Sequence, residues 1–203
     1  MRETIRSSIF AGIYIGVAGF GFLAASIQTQ YGALAGAILF AMGLLSIVGY
    51  KLKLFTGTVG FITTDEIDTL SAVLIGNIFG CFLVAMLTRW TPMADAIQDA
   101  AYNIMMTRTR TGAVGCGFLA IGCGLLMTTA VHFAIKKNIV PLFFAVPLFI
   151  ICGFPHCVAD AFYYLTTAEV LDLKILCIYM ATVVGNAIGC NLYRLILTKE
   201  QYE

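Results

Sequence analysis

The sequence has 203 residues, of which 60% are hydrophobic and 11% are charged, and its mean hydropathy is +0.93. A soluble domain has about 25% charged residues, so the composition excludes a soluble globular protein. It predicts one integral membrane domain over residues 1–203. The formal net charge of +1, without an extended basic patch, excludes a nucleic-acid partner.

Six segments approach or exceed the length of about 20 apolar residues that a membrane-spanning helix needs. They are Ser7–Ile27, Tyr31–Gly49 with an interrupted continuation to Thr64, Thr69–Leu87, Gly112–Ile135, Ile139–Thr167 and Lys174–Leu197. Before the fourth span, Ala94–Met106 is amphipathic and is expected to lie along the membrane interface. Six crossings predict that both termini lie on the same side of the bilayer.

Basic residues are unevenly distributed between the two sides that these crossings define. Eight fall with the termini, namely Arg2, Arg6, Lys51, Lys53, Lys136, Lys137, Arg194 and Lys199. Four fall on the other side, namely Arg89, Arg108, Arg110 and Lys174. Cytoplasmic loops carry an excess of Lys and Arg. The distribution therefore predicts a multi-pass protein of the cytoplasmic (inner) membrane with both termini in the cytoplasm.

The second span is interrupted in the stretch Tyr50–Gly60, where Lys51, Lys53 and Gly57 follow its apolar residues. Non-helical backbone at membrane depth is tolerated only where protein or a water-filled cavity surrounds it. Discontinuous helices of this kind form solute sites in transporters. We expect Gly57 to be the hinge of such a break. The alternative is a helix that ends at Gly49 and continues as a loop.

A six-residue pattern occurs twice, as Gly76-Asn77-Ile78-Phe79-Gly80-Cys81 and, 109 residues later, as Gly185-Asn186-Ala187-Ile188-Gly189-Cys190. Three spans per repeat predict two repeats of opposite orientation, about 1–88 and 108–198. The glycines alone fit a helix-packing face. Asn77 and Asn186 need a further reason, because a buried amide without partners is costly.

The repeat predicts a second break in the fifth span, and Gly153, Pro155, His156 and Asp160 stand there. Proline removes a backbone donor and disfavours helix in the preceding residue. The lengths fit two half-helices, Ile139–Cys152 and Cys157–Thr166. An ionisable side chain within a span indicates a functional site.

Cysteines are the remaining candidates for metal or redox chemistry. All seven lie in apolar segments, and none is spaced as Cys-x-x-Cys; they are Cys81, Cys116, Cys123, Cys152, Cys157, Cys177 and Cys190. Thiols buried in helices behave as small hydrophobic groups. We therefore interpret them as packing residues and predict no metal site and no cofactor.

Four short motifs together resemble the formate/nitrite transporter family: Leu54-Phe55-Thr56-Gly57, Gly76-Asn77, Gly153-Phe154-x-His156-x-Val158-Ala159 and Gly185-Asn186. They follow the family's order from the second to the sixth span. Members of this family carry small monovalent anions such as formate, nitrite, hydrosulfide or lactate. The resemblance implies an aquaporin-like, all-α membrane fold with broken second and fifth helices. It also implies a homopentamer in the lipid bilayer, with one pore in each protomer.

The resemblance also implies roles for individual residues. His156 would be the central pore histidine, and Thr56 its partner on the first broken helix. Leu54 and Phe55 would form an apolar constriction. The other residues at the family's constriction positions are Phe40, Leu44 and Phe149. With Asp160, Asn77 and Asn186, these residues form the predicted pore and substrate site.

The match to the family also places charges near the pore. Arg108 stands where members usually have a lysine that attracts anions to the vestibule, and Lys53 at the first break is expected to do the same. Pro155 replaces a frequent acidic residue, and Gly124 a frequent asparagine. Asp160 replaces a usual asparagine, and an ionised Asp160 facing the pore would repel an anion. We therefore expect Asp160 to be neutral, paired or turned away from the path.

These features predict a passage for anions of weak acids. Half-helices beginning near Thr58 and Cys157 would direct partial positive charge towards the anion. His156, with an unperturbed pKa of about 6.5, would exchange a proton so that the neutral acid crosses the apolar constrictions. Three alternatives remain open: a channel for a neutral or cationic solute such as ammonia, a membrane-embedded enzyme or metal site, and a non-transporting structural subunit.

Overall fold

The computed structural model describes residues 2–61, 67–167 and 172–198. These residues form helices α1 (Arg2–Ser26), α2 (Gly32–Gly49), α3 (Phe55–Val59), α4 (Thr69–Thr88), α5 (Ala94–Ile135), α6 (Val140–Ile151), α7 (Cys157–Thr166) and α8 (Leu173–Ile196). The predicted all-α class with broken second and fifth helices is confirmed.

Five helices in the described part of the chain, α1, α2, α4, α5 and α8, are long and apolar enough to cross a membrane. The apolar helix α6 has 12 residues, and α7 has ten. A helix rises 1.5 Å per residue, so neither α6 nor α7 alone reaches the bilayer's hydrocarbon thickness of about 30 Å, whereas their combined length does. A sixth crossing depends on treating these two as one broken helix, and the number six stays a prediction.

The first break does not have its hinge at Gly57. α2 ends at Gly49 and α3 already begins at Phe55, so Gly57 lies inside α3. The half-helix expected to begin near Thr58 therefore begins three residues earlier. The predicted continuation of this span to Thr64 extends beyond α3, and its residues 62–64 lie outside the described residues.

Lys51, rather than a glycine, makes the turn that ends α2. Its φ is 54°, in the left-handed region. The Lys51 N–H donates to the Val48 carbonyl at 3.1 Å, and the Leu52 N–H donates to the Ile47 carbonyl at 2.8 Å. These bonds satisfy carbonyls at the end of the helix, as in the left-handed caps that glycine usually makes. The expectation failed because lysine rarely adopts this conformation.

The second break agrees with the sequence. The predicted half-helices, Ile139–Cys152 and Cys157–Thr166, differ from α6 and α7 by no more than one residue at any end. Gly153 turns the chain with a φ of 68°. The Phe154 N–H donates to the Phe149 carbonyl at 2.9 Å, which closes the end of α6.

α5 covers 42 residues in two helical pieces that meet at a kink, and the sequence also suggested two pieces, the interfacial Ala94–Met106 and the span Gly112–Ile135. A straight helix of this length would measure about 63 Å, about twice the thickness of the hydrocarbon core. Gly112 has φ 76° and ψ 169°. This non-helical residue kinks α5 where the predicted span begins, so the boundary between the pieces is correct although helix fills the connection.

Glycines let α1 approach α4, and α5 approach α8, to backbone contact. A Cβ atom added at Gly12, Gly80, Gly185 or Gly189 would lie 2.0–2.2 Å from a carbonyl oxygen of the partner helix. Small residues permit such close approach between membrane helices. The packing role expected for Gly80, Gly185 and Gly189 is confirmed.

We expect Gly189→Ala to lower the free energy of unfolding by roughly 1–3 kcal/mol, which is the usual effect of overpacking a filled core. Its Cβ would lie 2.0 Å from the Ile121 carbonyl oxygen, so α5 and α8 would have to separate. Gly21→Ala in α1 is the matched control, because nothing lies within 4 Å of its added Cβ. Thermal unfolding in detergent measures both. Equal melting temperatures of the two variants would contradict this reading of the α5–α8 contact.

Candidate functional site

His156 and Thr56 join the two helix breaks. The His156 Nε2 atom lies 3.0 Å from the Thr56 Oγ1 atom, although 100 residues separate them in the chain. His156 is the residue that precedes α7, and Thr56 lies in the first turn of α3. Both side chains are buried, with exposures of 1% and 0%. The structure thus brings together the two residues predicted to be partners.

The hydrogen bonds of His156 define its tautomer. Its Nδ1 atom accepts from the Ala159 backbone N–H at 3.2 Å and caps α7. A ring nitrogen that accepts carries no proton, so the neutral ring holds its proton on Nε2 and donates it to the Thr56 hydroxyl oxygen. Among the described residues, the structure gives the Thr56 hydroxyl no second partner. The hydroxyl proton of Thr56 is therefore available to another acceptor.

Aromatic rings surround the histidine. Phe149 stacks on His156 with centroids 5.6 Å apart, and the Phe40 ring meets Phe149 edge-on at 6.0 Å. Leu44 is buried one helical turn beyond Phe40 on the same face of α2. Of these three residues, Phe149 lines the cavity beside His156, and the constriction role of all three stays a prediction.

Leu54 and Phe55 stand directly before Thr56 and are also buried, with exposures of 1% and 5%. Leu54 precedes α3 as His156 precedes α7. The apolar Leu54 and the titratable His156 therefore occupy equivalent positions, each directly before the short helix at its break. The barrier role of Leu54 and Phe55 stays a prediction.

Asn77 holds the first break. Its Oδ1 atom accepts from the Phe55 N–H at 2.8 Å. Its Nδ2 atom donates to the carbonyls of Ser8 at 2.7 Å and Lys53 at 3.0 Å. These bonds use all of its hydrogen-bonding capacity but one lone pair, and they tie the residues just before α3 and the start of α3 to α1 and α4.

Asn186 holds the second break in the same way. Its Oδ1 atom accepts from the Cys157 N–H at 2.8 Å. Its Nδ2 atom donates to the carbonyls of Ala120 at 2.9 Å and Pro155 at 3.0 Å. Asn77 and Asn186 are predicted pore residues, yet these bonds direct their amides into backbone. The matched bonds are those that two structural repeats would produce.

Three buried cysteines make hydrogen bonds in addition to packing: the Cys116 thiol lies 3.4 Å from the Arg108 carbonyl, and the other two reach the helix breaks. The Cys190 thiol donates to the Thr56 carbonyl at 3.1 Å, and the Cys81 thiol donates to the Val158 carbonyl at 3.4 Å. Each therefore contacts the half-helix of the other repeat. The sequence contained a signal for these two contacts, because Cys81 and Cys190 are each the last residue of the repeated six-residue pattern.

A cavity of about 270 Å³ extends from the surface to His156 on the side of the second break. We call it the vestibule; Phe22, Asn103, Thr107, Arg108, Phe149 and Asp160 are among its lining residues. Asn103 and Thr107 were missed from the sequence. Asn103 lies in the amphipathic segment Ala94–Met106, which was assigned to the membrane interface, and Thr107 follows that segment directly.

Arg108 and Asp160 form an ion pair in the vestibule wall, with Arg108 Nε 3.2 Å from Asp160 Oδ2. Of the three states expected for Asp160, the structure shows the paired one. The partner was not foreseen, because Arg108 was predicted to attract anions as an unpaired charge. The pairing leaves the wall without net charge from these two residues.

Lys53 lies at the first break and is not part of the vestibule wall. Its backbone N–H donates to the Ser7 hydroxyl at 2.9 Å, and its carbonyl accepts from Asn77. The attraction of anions by its side chain stays a prediction. No group of three or more His, Cys, Asp or Glu side chains in residues 2–61, 67–167 and 172–198 is arranged to hold a metal ion.

A family model, a related sequence and two solved structures all point to the same family. The family model described as formate/nitrite transporter matches residues 1–199. A formate-nitrite transporter of Plasmodium malariae is 25% identical over 229 aligned positions, which cover 93% of this chain and 73% of that protein.

Two solved structures share the fold. A pentameric formate channel with formate bound superposes with a TM-score of 0.81 at 19% identity, covering 96% of this chain and 94% of the other. An ion channel of the FNT family superposes with a TM-score of 0.82 at 19% identity, covering 94% and 86%. The chain belongs to the formate/nitrite transporter family, whose members are membrane channels and transporters rather than enzymes.

Proposed function

We propose that each protomer forms a passage for small monovalent anions of weak acids, such as formate, nitrite, hydrosulfide or lactate, linked to protons through His156. The observation that carries this proposal is the 3.0 Å bond between His156 and Thr56, which joins the two breaks at the inner end of the vestibule. The names of the relatives, a formate-nitrite transporter and a formate channel, support the substrate class.

The first step is attraction of the anion to the start of α7. A helix N-terminus carries partial positive charge, and α7 begins directly after His156. α3 has only five residues, so its dipole contributes less than the sequence suggested. The anion then meets the His156–Thr56 pair, where it would replace the Thr56 oxygen as the acceptor of the Nε2–H of His156 and accept a second bond from the Thr56 hydroxyl.

The second step is transfer of a proton. The ring first takes a proton from a hydronium ion in the vestibule onto Nδ1, which gives up its bond to the Ala159 N–H, and becomes an imidazolium. The imidazolium then passes its Nε2 proton to the anion, so that the neutral acid forms and the ring returns to a neutral form. The charged and titratable groups that face this cavity are Arg108, Asp160 and Tyr163. A neutral acid crosses the barrier of Leu54 and Phe55 far more easily than an anion, because a charge at membrane depth is costly.

The assembly that fits this function is a homopentamer in the cytoplasmic membrane with one pore per protomer and both termini in the cytoplasm. The pentameric architecture of the related formate channel supports the number of subunits. The distribution of basic residues, eight with the termini against four opposite, supports the orientation. The matched bonds of Asn77 and Asn186 support two inverted repeats, about 1–88 and 108–198.

The alternative functions lose support from the geometry. A channel for ammonium would use Asp160 as a free carboxylate, but that group is bonded to Arg108. A purely structural subunit needs no cavity that leads to a buried histidine, and the vestibule provides one.

The test is a stopped-flow assay of purified protein in liposomes, with formate, nitrite, hydrosulfide, lactate and ammonium offered separately. We expect flux of at least one anion, faster at acid pH, and little flux of ammonium. Flux of ammonium alone would replace the proposed substrate class. A correctly assembled oligomer that carries none of the five solutes would refute the transport function proposed for this site.

A further inference from the structure

The ion pair in the vestibule wall uses most of the hydrogen-bonding capacity of its two members. Arg108 donates from Nε to Asp160 Oδ2 at 3.2 Å and from a terminal nitrogen to Oδ1 at 3.5 Å. Its other terminal nitrogen donates to the Gly153 carbonyl at 2.6 Å. The arginine side chain is 12% exposed and the aspartate 1%. Both charges are therefore held in place in the vestibule wall.

No other Lys, Arg, Asp or Glu side chain among the described residues lines the vestibule. Asn103 and Thr107 contribute polar but uncharged groups, and His156 has the hydrogen bonds of a neutral ring. The net charge of the vestibule wall therefore depends on whether the positive charge of Arg108 is balanced by the negative charge of Asp160.

We propose that Asp160 sets the charge selectivity of the vestibule by neutralising Arg108. The paired wall does not concentrate anions, so it admits the anion and its neutral acid on similar terms, and discrimination is left to His156 and Thr56. This inference rests on the proposed function and deepens it, because it states which protonation forms of the substrate the entrance accepts. Asp160 is accordingly a specificity-determining residue that need not contact the solute.

A purely mechanical role for the pair makes different predictions. Arg108 connects α5 to the turn at Gly153 and to α7, so the pair also clamps the second break. If clamping were its only role, every single substitution would reduce flux, and combining two would not restore it. If charge matters, neutralising Asp160 and neutralising Arg108 must have opposite effects, and the double variant must return towards wild type.

The experiment compares wild type with Asp160→Asn, Arg108→Gln and the double variant, each as an assembled oligomer in liposomes. Asn has the shape of Asp and lacks its charge, whereas Gln is shorter than Arg and also loses the bond to the Gly153 carbonyl; the opposite directions of the two single variants therefore carry the test. For formate, we expect the half-saturating concentration to fall roughly tenfold in Asp160→Asn, to rise roughly tenfold in Arg108→Gln, and to lie within about twofold of wild type in the double variant. Methylammonium, if carried, should show the reverse order.

Titration calorimetry of formate binding to the same four proteins in detergent gives a second measurement that does not require flux. Affinities in the order Asp160→Asn, wild type, Arg108→Gln would support the inference even if liposome flux were absent. Wild-type flux without this order of half-saturating concentrations would overturn the inference and leave the proposed function intact. Reduced flux in both single variants without recovery in the double variant would identify a clamp only.

Discussion

Flux of formate and of the other weak-acid anions is expected to disappear when His156 is replaced by phenylalanine, while the proposed pentamer still assembles. Phenylalanine keeps an aromatic ring against Phe149, which stacks on His156 at 5.6 Å, so the site remains filled. It removes the Nε2–H that donates to Thr56 and with it the exchangeable proton. The anion would then face an apolar barrier without a route to its neutral form.

Liposome flux measured at about pH 5 and about pH 7, on either side of the unperturbed histidine pKa of about 6.5, tests this prediction. Size-exclusion chromatography of the variant reports assembly. Flux equal to that of wild type at both pH values would rule out His156 as the proton carrier.

Two further variants separate proton exchange from structure. In the present structure His156 accepts a hydrogen bond from the Ala159 N–H at 3.2 Å. His156→Asn keeps an oxygen that can accept this bond at the N-cap, but the amide cannot titrate. We expect this variant to assemble well and to carry little anion. His132→Phe is the matched control, because its ring would still stack on Phe61, whose centroid lies 6.5 Å from that of His132. It should transport like wild type.

Much of the fold followed from the sequence because bilayer thickness and hydropathy constrain helix lengths strongly. The second break was placed within one residue, since Gly153 and Pro155 disfavour helix through their own covalent geometry. The turn of the first break was misplaced because it depends on Lys51, whose left-handed conformation is stabilised by backbone hydrogen bonds of this particular turn. Local propensity favoured Gly57.

The site was predictable in its members and less so in its contacts. The pairing of His156 with Thr56 came from family resemblance, because no local pattern relates residues 100 positions apart. Arg108 and Asp160 were each singled out, but their bond across 52 positions depends on how the kinked α5 meets α7. Tertiary packing decides such contacts, and residue type alone does not.

Replacing Asn186 with leucine is expected to unfold the second break. Leucine is similar in size but leaves the Cys157 N–H and the Ala120 and Pro155 carbonyls without this partner in an environment where Asn186 is 0% exposed. A buried polar group left unsatisfied costs about 1–3 kcal/mol. The total loss should reach about 3–5 kcal/mol, a large part of the roughly 5–15 kcal/mol that stabilises an ordinary protein, so the yield of assembled oligomer should fall. Thermal unfolding in detergent and oligomer yield measure it.

The control is Asn138→Leu, which removes one exposed bond to the Val140 N–H at 3.2 Å and should change the melting temperature little. Asn77→Leu is the informative comparison, because Asn77 makes the same three kinds of bond at the first break. Losses of similar size in the two asparagine variants would follow if both breaks are built on one repeated design. If Asn186→Leu melted like Asn138→Leu, the backbone of the second break would be held by Gly153 and Pro155 alone, and the repeat would have no energetic basis at this site.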